Sequence, residues 1–378
     1  MKDRPQLTDG VQSGDLQGDR AMIWSRSDRP AKMVVEWDTR SVFSNPRRFV
    51  SPLADSRTDF TARVELTGLP VDQAIFYRVH FEDAQTGIAS EPWFGHLRSV
   101  PQQRRDIRFV WSGDTVGQGF GINPDIGGMR IYEAMRLRLP DFFIHSGDTI
   151  YADGPVPAQL TTEGGRIWRN ITTEAKSKVA ETLDEYRGNY RYNLLDENVR
   201  RFNAEVPQIW QWDDHEVINN WSSSKQLDER YQTRDINTLV GRARQAWLEY
   251  SPMRRQSADG AGAFIASSVM GRCWMCLCWI CAAIVGRMMT TWARKNPSSG
   301  GNSWTGSNAG SRPRKRSGRW SPPTCPSVWA CPTVKSAPAW RVGKRSPMAT
   351  LARRKGVSWR SPNCWGSCMS IRCATTCG

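Results

Sequence analysis

The chain has 378 residues, 24% of them charged, and a formal net charge of +15. That length allows one small domain and most of a larger one, and no run approaches the roughly 18–20 apolar residues of a membrane helix, so no membrane partner is expected. The charge is divided unevenly: between Phe264 and Gly378 there are 18 Lys and Arg and no Asp or Glu, which leaves a net −3 on everything before.

The start, MKDRPQLTDG, is polar and has no apolar core, so no secretory leader is expected, and the compartment stays open. From Gly10 to about Arg98 the signals are those of short strands. Met22–Trp24, Met33–Trp37, Phe60–Leu66 and Ile75–Phe81 are apolar or alternating, with breaks at Ser27, Asp28 and Pro30, at Ser51 and Pro52, and at Gly68 to Pro70. Phe60, Ala62, Val64 and Leu66 repeat with period two, as do Ile75, Tyr77, Val79 and Phe81. One face of each strand is therefore apolar, which implies a small β-sandwich. This region has no cysteine, so its core needs no disulfides.

From Arg105 the character changes. A short apolar strand, Ile107–Trp111, runs into Ser112, Gly113 and Asp114. Met129, Tyr132, Met135 and Leu139 fall near helical spacing, with Pro140 as the stop. A second strand, Phe142–Ile144, runs into His145, Ser146, Gly147 and Asp148, and a third, Val206–Trp212, into Asp213, Asp214, His215 and Glu216. Helices are expected over about Thr173–Arg187 and over Asn237–Tyr250, the latter packing through Trp247 and Leu248. The Tyr, Arg and Asn residues after Asp184 could line a pocket or face solvent.

Three successive strands ending in acids match the carboxyl edge of an open α/β sheet. Asp114, Asp148 and Asp214 lie 34 and 66 residues apart and can meet only through the fold. Carboxylates brought together there repel and lose hydration, costs that bound cations offset; each acid could instead simply cap the turn or helix that follows it. Gly113 and Gly147 allow sharp turns beneath a ligand. Tyr151 could present an oxygen to a hard metal or pack below the site. Trp210 and Trp212 are read as anchors of the third strand, and His145 as a structural histidine donating to strand backbone.

These residues carry a resemblance. Gly10-Val11-Gln12-Ser13-Gly14-Asp15, Ser112-Gly113-Asp114, the run His145 to Pro155, and Trp212-Asp213-Asp214-His215-Glu216 with Asn219-Asn220-Trp221 are similar to the alkaline phosphatase D family of the calcineurin-like metallophosphatase superfamily. The match covers roughly residues 7 to 263 in the family's order. It implies a fibronectin- or immunoglobulin-like sandwich over 7–100, then the N-terminal part of a four-layer α/β/β/α metallophosphatase domain over 105–263. It further implies hydrolysis of phosphomonoesters, and often phosphodiesters, at a binuclear centre of Fe3+ and Ca2+. By that resemblance Asp114, Asp148 (bridging), Tyr151 and Asp214 are metal ligands, and His215 helps protonate the leaving group. The partner is then a small phosphate ester, with no specific nucleic acid, and the oligomeric state stays open. Family members are often exported by a twin-arginine leader.

The basic stretch 264–378 departs from this pattern. It holds nine of the 18 Trp and all ten Cys, and it has no helical or strand periodicity. Joining the last base of each codon to the first two of the next gives, for permitted codons over Met270–Thr291, YGPLLDVLVLDMRSYRGPNDDN. The same operation over Pro322–Val334 gives ADMPIGLGVPDG, and from Arg372 onward RNNVW. Those strings have the apolar runs, turns and acids that the printed residues lack, and the first and last resemble the family's next segments. The expectation is a frame displacement near residues 260–265 and a disordered tail. Further ligands, among them an Asp-Val-His motif, belong in the family to later strands, so this chain is expected to be inactive. Cys273, Cys276, Cys278 and Cys281 form two CxxC pairs with one residue between them, too close to wrap a zinc. The alternative is a non-catalytic β-sandwich protein whose basic tail binds nucleic acid. DNA binding by 264–378 with a salt slope of several phosphates would mark it.

Overall fold

The computed structural model describes residues 4–103 and 105–254, and the backbone of 367–371. The first hundred residues form seven strands: β1 (Val11–Gln17), β2 (Arg20–Arg26), β3 (Ala31–Asp38), β4 (Arg47–Ala54), β5 (Thr61–Leu66), β6 (Ala74–Asp83) and β7 (Trp93–Arg98). Then come β8 (Ile107–Ser112), α1 (Arg130–Arg136), β9 (Phe142–His145), β10 (Gln159–Thr161), β11 (Ile167–Arg169), α2 (Leu183–Asn193), α3 (Glu197–Glu205), β12 (Gln208–Trp210), α4 (Ile236–Tyr250) and β13 (Ser367–Ile371). A β region thus precedes a mixed α/β region. Among the described residues no helix is long and apolar enough to cross a membrane.

The period-two pattern does what it promised. Ile75, Tyr77, Val79 and Phe81 are all fully buried on one face of β6, and each such side chain contributes about 1.5–3 kcal/mol relative to exposure. The strands of this region divide between two sheets. One has the order β4-β3-β6-β7 and is antiparallel; β1, β2 and β5 belong to a second that continues through β12, β9 and β8.

The join is the parallel pair β1–β12, in register at Gly14 and Gln208. A Cβ on Gly14 would stand 2.7 Å from both the Gln208 and Pro252 carbonyl oxygens, so only glycine lets the backbones meet there. Side chains reinforce the join. The indole of Trp24 donates to the Glu249 carbonyl (2.7 Å), Tyr77 to the Ala204 carbonyl (2.7 Å), and Arg187 on α2 holds the Glu249 carboxylate through two bonds of 2.7 and 2.9 Å.

Several expectations need correction. Pro52 lies inside β4 rather than between strands. It is tolerated because β4 is an edge strand, paired to β3 across a register shift between Lys32 and Val34. Phe60 precedes β5 in the left-handed region, φ 59°. Leu139 lies beyond α1, also left-handed at φ 50°, and is exposed. The helix expected over Thr173–Arg187 begins only at Leu183, where a capping box forms: Thr182 Oγ1 accepts from Glu185 N (3.3 Å), and Glu185 accepts from Thr182 N (2.9 Å). Its Tyr186, Arg187, Asn189 and Tyr190 are buried rather than facing solvent, and Tyr190 with Asn193 lines a small internal cavity beside His145. The third acid-tipped strand is short, Gln208–Trp210, and α4 buries Trp247 but leaves Leu248 half-buried.

The expectations for the tail and its CxxC pairs lie outside the described residues, with one exception. Ser367–Ile371 pairs antiparallel with β8, Met369 opposite Phe109. Disorder was expected there. An open sheet edge offers unpaired N–H and C=O groups, and backbone pairing to it demands no side-chain pattern.

Candidate metal centre

The strands β8, β9 and β12 are neighbours and parallel, with His145 in register with both Ser112 and Trp210. Their chains therefore leave the sheet along one edge. Backbone bonds then tie the three departing loops together. Ser146 N donates to Ser112 O (2.9 Å), Asp114 N to Gly147 O (3.3 Å), Thr115 N to Asp148 O (2.9 Å), and Ala152 N to His215 O (3.0 Å). Asp114 (φ 58°) and Asp148 (φ 53°) both adopt the left-handed conformation, which aspartate tolerates better than most residues. Gly147 (φ 89°) has no such freedom to give up, since any side chain on it would run into Asp213.

Asp148 is buried, and Asp214 and His215 are half-buried; one potential ligand atom from each of these three lies within 4.8 Å of the others. Asp114 is exposed and joins through the buried Tyr151, whose hydroxyl donates to Asp114 Oδ2 at 2.9 Å. The Tyr151 ring in turn stacks on the His215 imidazole, centroids 4.0 Å apart and planes at 25°. All five residues singled out from the sequence therefore belong to one connected group. Trp210, the last residue of β12, stacks on Tyr190 (6.1 Å), and Trp212, two residues past the strand, meets Trp247 edge-on (6.2 Å).

Two residues escaped the sequence reading. The acid hydrogen-bonded to the His215 ring is Asp153: its Oδ1 lies 2.7 Å from Nδ1, and its Oδ2 accepts from Asn219 N at 2.9 Å. Burial opposes charge on both partners, yet their hydrogen bond holds Asp153 below the usual carboxylate range and His215 above the usual imidazole range. The other is Glu216, fully buried, which accepts from Asp148 N, Thr149 N, Thr149 Oγ1 and Asp213 N. Both lie inside motifs that were read for other residues, and no spacing rule marks them. His145 is buried, its Nε2 meets the Thr115 hydroxyl (2.8 Å), and burial, opposed by a backbone hydrogen bond at Gly147, pushes its pKa down to about 4.

The donor set fits a hard cation. Asp148 and Asp214 converge with His215, and the Asp114 carboxylate and Tyr151 phenol join them, an oxygen-rich group that suits a hard cation better than a soft one. Burial, then the charges of Glu216, Asp213 and Asp214, push the Asp148 carboxyl up to about 8. Burial and Asp114 likewise drive the Tyr151 phenol far upward. A bound cation reverses both effects. A folded-state pKa raised above the unfolded one stabilises the fold while the group is protonated, and that contribution is lost as the pH climbs toward about 8. In chelator, wild type should therefore lose melting temperature relative to Asp148→Asn between pH 4 and 8, and saturating calcium should flatten that difference. Parallel melting curves without metal would contradict it.

Comparison with known proteins gives the same family at both ends of the described region. Residues 1–101 match the family model described as "PhoD-like phosphatase, N-terminal domain", and residues 109–275 match "PhoD-like phosphatase". Alkaline phosphatase D of Bacillus subtilis (strain 168) is 26% identical over 263 residues, which is 66% of this chain and 42% of that protein. The chain thus spans about two-fifths of the length of that curated relative. A solved structure of PhoD, 23% identical, superposes with a TM-score of 0.53 over 66% of this chain and 46% of its own. A purple acid phosphatase, PPD1 from yellow lupin seeds, is 14% identical with a TM-score of 0.42 over 66% of this chain and 40% of its own.

Proposed function

Because this chain belongs to the PhoD-like phosphatase family, we propose that its site is built for metal-dependent hydrolysis of phosphomonoesters, and also of phosphodiesters. The observation that carries this reading is the convergence of Asp148, Asp214 and His215 to within 4.8 Å at the ends of parallel strands. In the proposal Asp114, Asp148, Tyr151 and Asp214 would hold a binuclear pair, Fe3+ with Ca2+, with Asp148 as the ligand common to both. When bound there, such cations would supply the positive charge that stabilises phosphoryl oxygens and lowers the pKa of a water. His215 donates a proton to the departing oxygen. Its Nδ1 is committed to Asp153, so Nε2 is the nitrogen left to face the substrate.

The same proposal takes residues 7–100 as a β-sandwich and 105–263 as the first part of a four-layer α/β/β/α domain. The division of β1–β7 between two sheets and the parallel run β8-β9-β12 support it. It also takes residues beyond about 260–265 as displaced from the family's reading frame. The PhoD-like match ends at residue 275, close to where acids disappear, and no Asp, Glu or His follows Asp259. Further carboxylate or imidazole ligands cannot come from that stretch, so this 378-residue chain is proposed to be inactive.

Resequencing the DNA around the codons for Gly260–Ser267, restoring the frame and extending the gene tests this. The restored protein is expected to hydrolyse p-nitrophenyl phosphate in the presence of metal and to stop when chelator is added. If it stays inactive with calcium and every first-row metal, the catalytic reading fails.

A further inference from the structure

We propose that Glu216 is the positioning residue of this centre, a buried clasp that fastens the loop after β9 to the loop after β12 and so sets where Asp148 and Asp214 stand. The inference rests on the metal-centre reading above and goes beyond it, because Glu216 touches neither cation nor substrate in that scheme. Its side chain is fully buried. One carboxylate oxygen accepts from Thr149 N and Thr149 Oγ1, both at 2.6 Å; the other accepts from Asp213 N at 2.8 Å and Asp148 N at 3.3 Å.

The chemistry of those partners is one-sided. All four are donors, and both oxygens are fully used, so the position calls for two acceptor atoms and no hydrogen of its own. A carboxylate, with two oxygens, is the side chain that offers this. Two of the donors belong to the backbone of Asp148 and to the residue just before Asp214, so one group pins both acids. Past the sheet edge the ladder hydrogen bonds have ended, and without such a tie the two mutually repelling carboxylates would spread. Glu216 itself is absent from the group of potential ligand atoms formed by Asp148, Asp214 and His215 among the described residues. It therefore acts through them.

Glu216→Gln is nearly isosteric but turns an NH2 group toward at least one N–H donor, which opens one side of the clasp. The test uses the full 378-residue chain and terbium(III) as the probe, read by sensitised luminescence, with Asp148→Asn as the control that removes a ligand. Outer-sphere partners of metal ligands typically carry about a 10- to 100-fold effect on affinity, and E216Q is expected to weaken terbium binding by that factor. Amide hydrogen exchange should quicken in segments 145–152 and 211–217 and stay unchanged in α4. A group that merely satisfied buried amides would leave the affinity alone. Should E216Q lose its folded spectrum, Thr149→Val, which deletes only the hydroxyl contact, is expected to give the same local exchange signature with a few-fold loss of affinity.

Wild-type terbium affinity in E216Q overturns the proposal. If wild type takes up no terbium at all, the described acids alone do not hold a cation in this chain, and hydrogen exchange decides the proposal. In that case unchanged exchange in E216Q would remove the clasp as well, while faster exchange confined to the two loops would uphold it.

Discussion

Changing Asp148 to asparagine in the frame-restored enzyme is expected to lower metal-dependent phosphoester hydrolysis by about a thousandfold, roughly 4 kcal/mol of transition-state stabilisation. The substitution leaves the local fold its contacts: His215 N donates to Asp148 Oδ1 at 3.1 Å, and an amide oxygen accepts that bond equally well. What disappears is a negative charge in a buried position beside Glu216, Asp213 and Asp214. In the metal-free protein that charge is a burden, since burial and like charges already push the carboxyl up to about 8. The asparagine variant should therefore melt higher than wild type at pH 8 in chelator while being catalytically dead. Opposite movement of stability and activity is the signature of a residue kept for function at the expense of the fold. An asparagine variant that keeps more than a tenth of the activity, or melts lower than wild type under those conditions, would contradict the assignment.

The parts of this site that were legible in the sequence are those whose chemistry is written in short patterns. A strand that runs into an acid is such a pattern, with Gly113 and Gly147 between strand and acid in two of its three occurrences, and together they mark the sheet edge. The period-two runs of β5 and β6 were equally plain, because one face of each is buried. The strand β1 was not: Val11 to Leu16 are all buried, yet Gln12, Ser13 and Asp15 are polar, and their partners come from elsewhere in the chain, such as the Tyr250 carbonyl for Gln12. The N-terminus of α2 could have been placed from Thr182 and Glu185, a capping box that the surrounding charged residues obscured. Glu216 and Asp153 could not be assigned from spacing. Apart from Asp213 N, three residues before Glu216, their partners lie 62 or more residues away, and only the folded chain brings them within hydrogen-bond reach.

Replacing Asp153 by asparagine in the restored enzyme is expected to slow hydrolysis of alkyl phosphates about a hundredfold while barely changing that of p-nitrophenyl phosphate. An alkoxide needs a proton as it leaves; p-nitrophenolate departs without one. Asp153 is buried, sits 2.7 Å from His215 Nδ1 and is itself aimed by Asn219 N, so it fixes which ring nitrogen carries a proton toward the substrate. It also supports the charged imidazole: burial alone would lower the His215 pKa, and the Asp153 bond and charge, with Asp148 and Asp214, raise it instead. Removing that support lowers the pH at which His215 loses its proton. The alkaline limb of the alkyl phosphate rate should therefore move toward acid in Asp153→Asn, with KM little changed. Were His215 instead held only as a ligand for a cation, both substrates would slow together and metal affinity would fall. Equal losses on the two substrates, with the alkaline limb unmoved, would thus remove His215 from proton transfer.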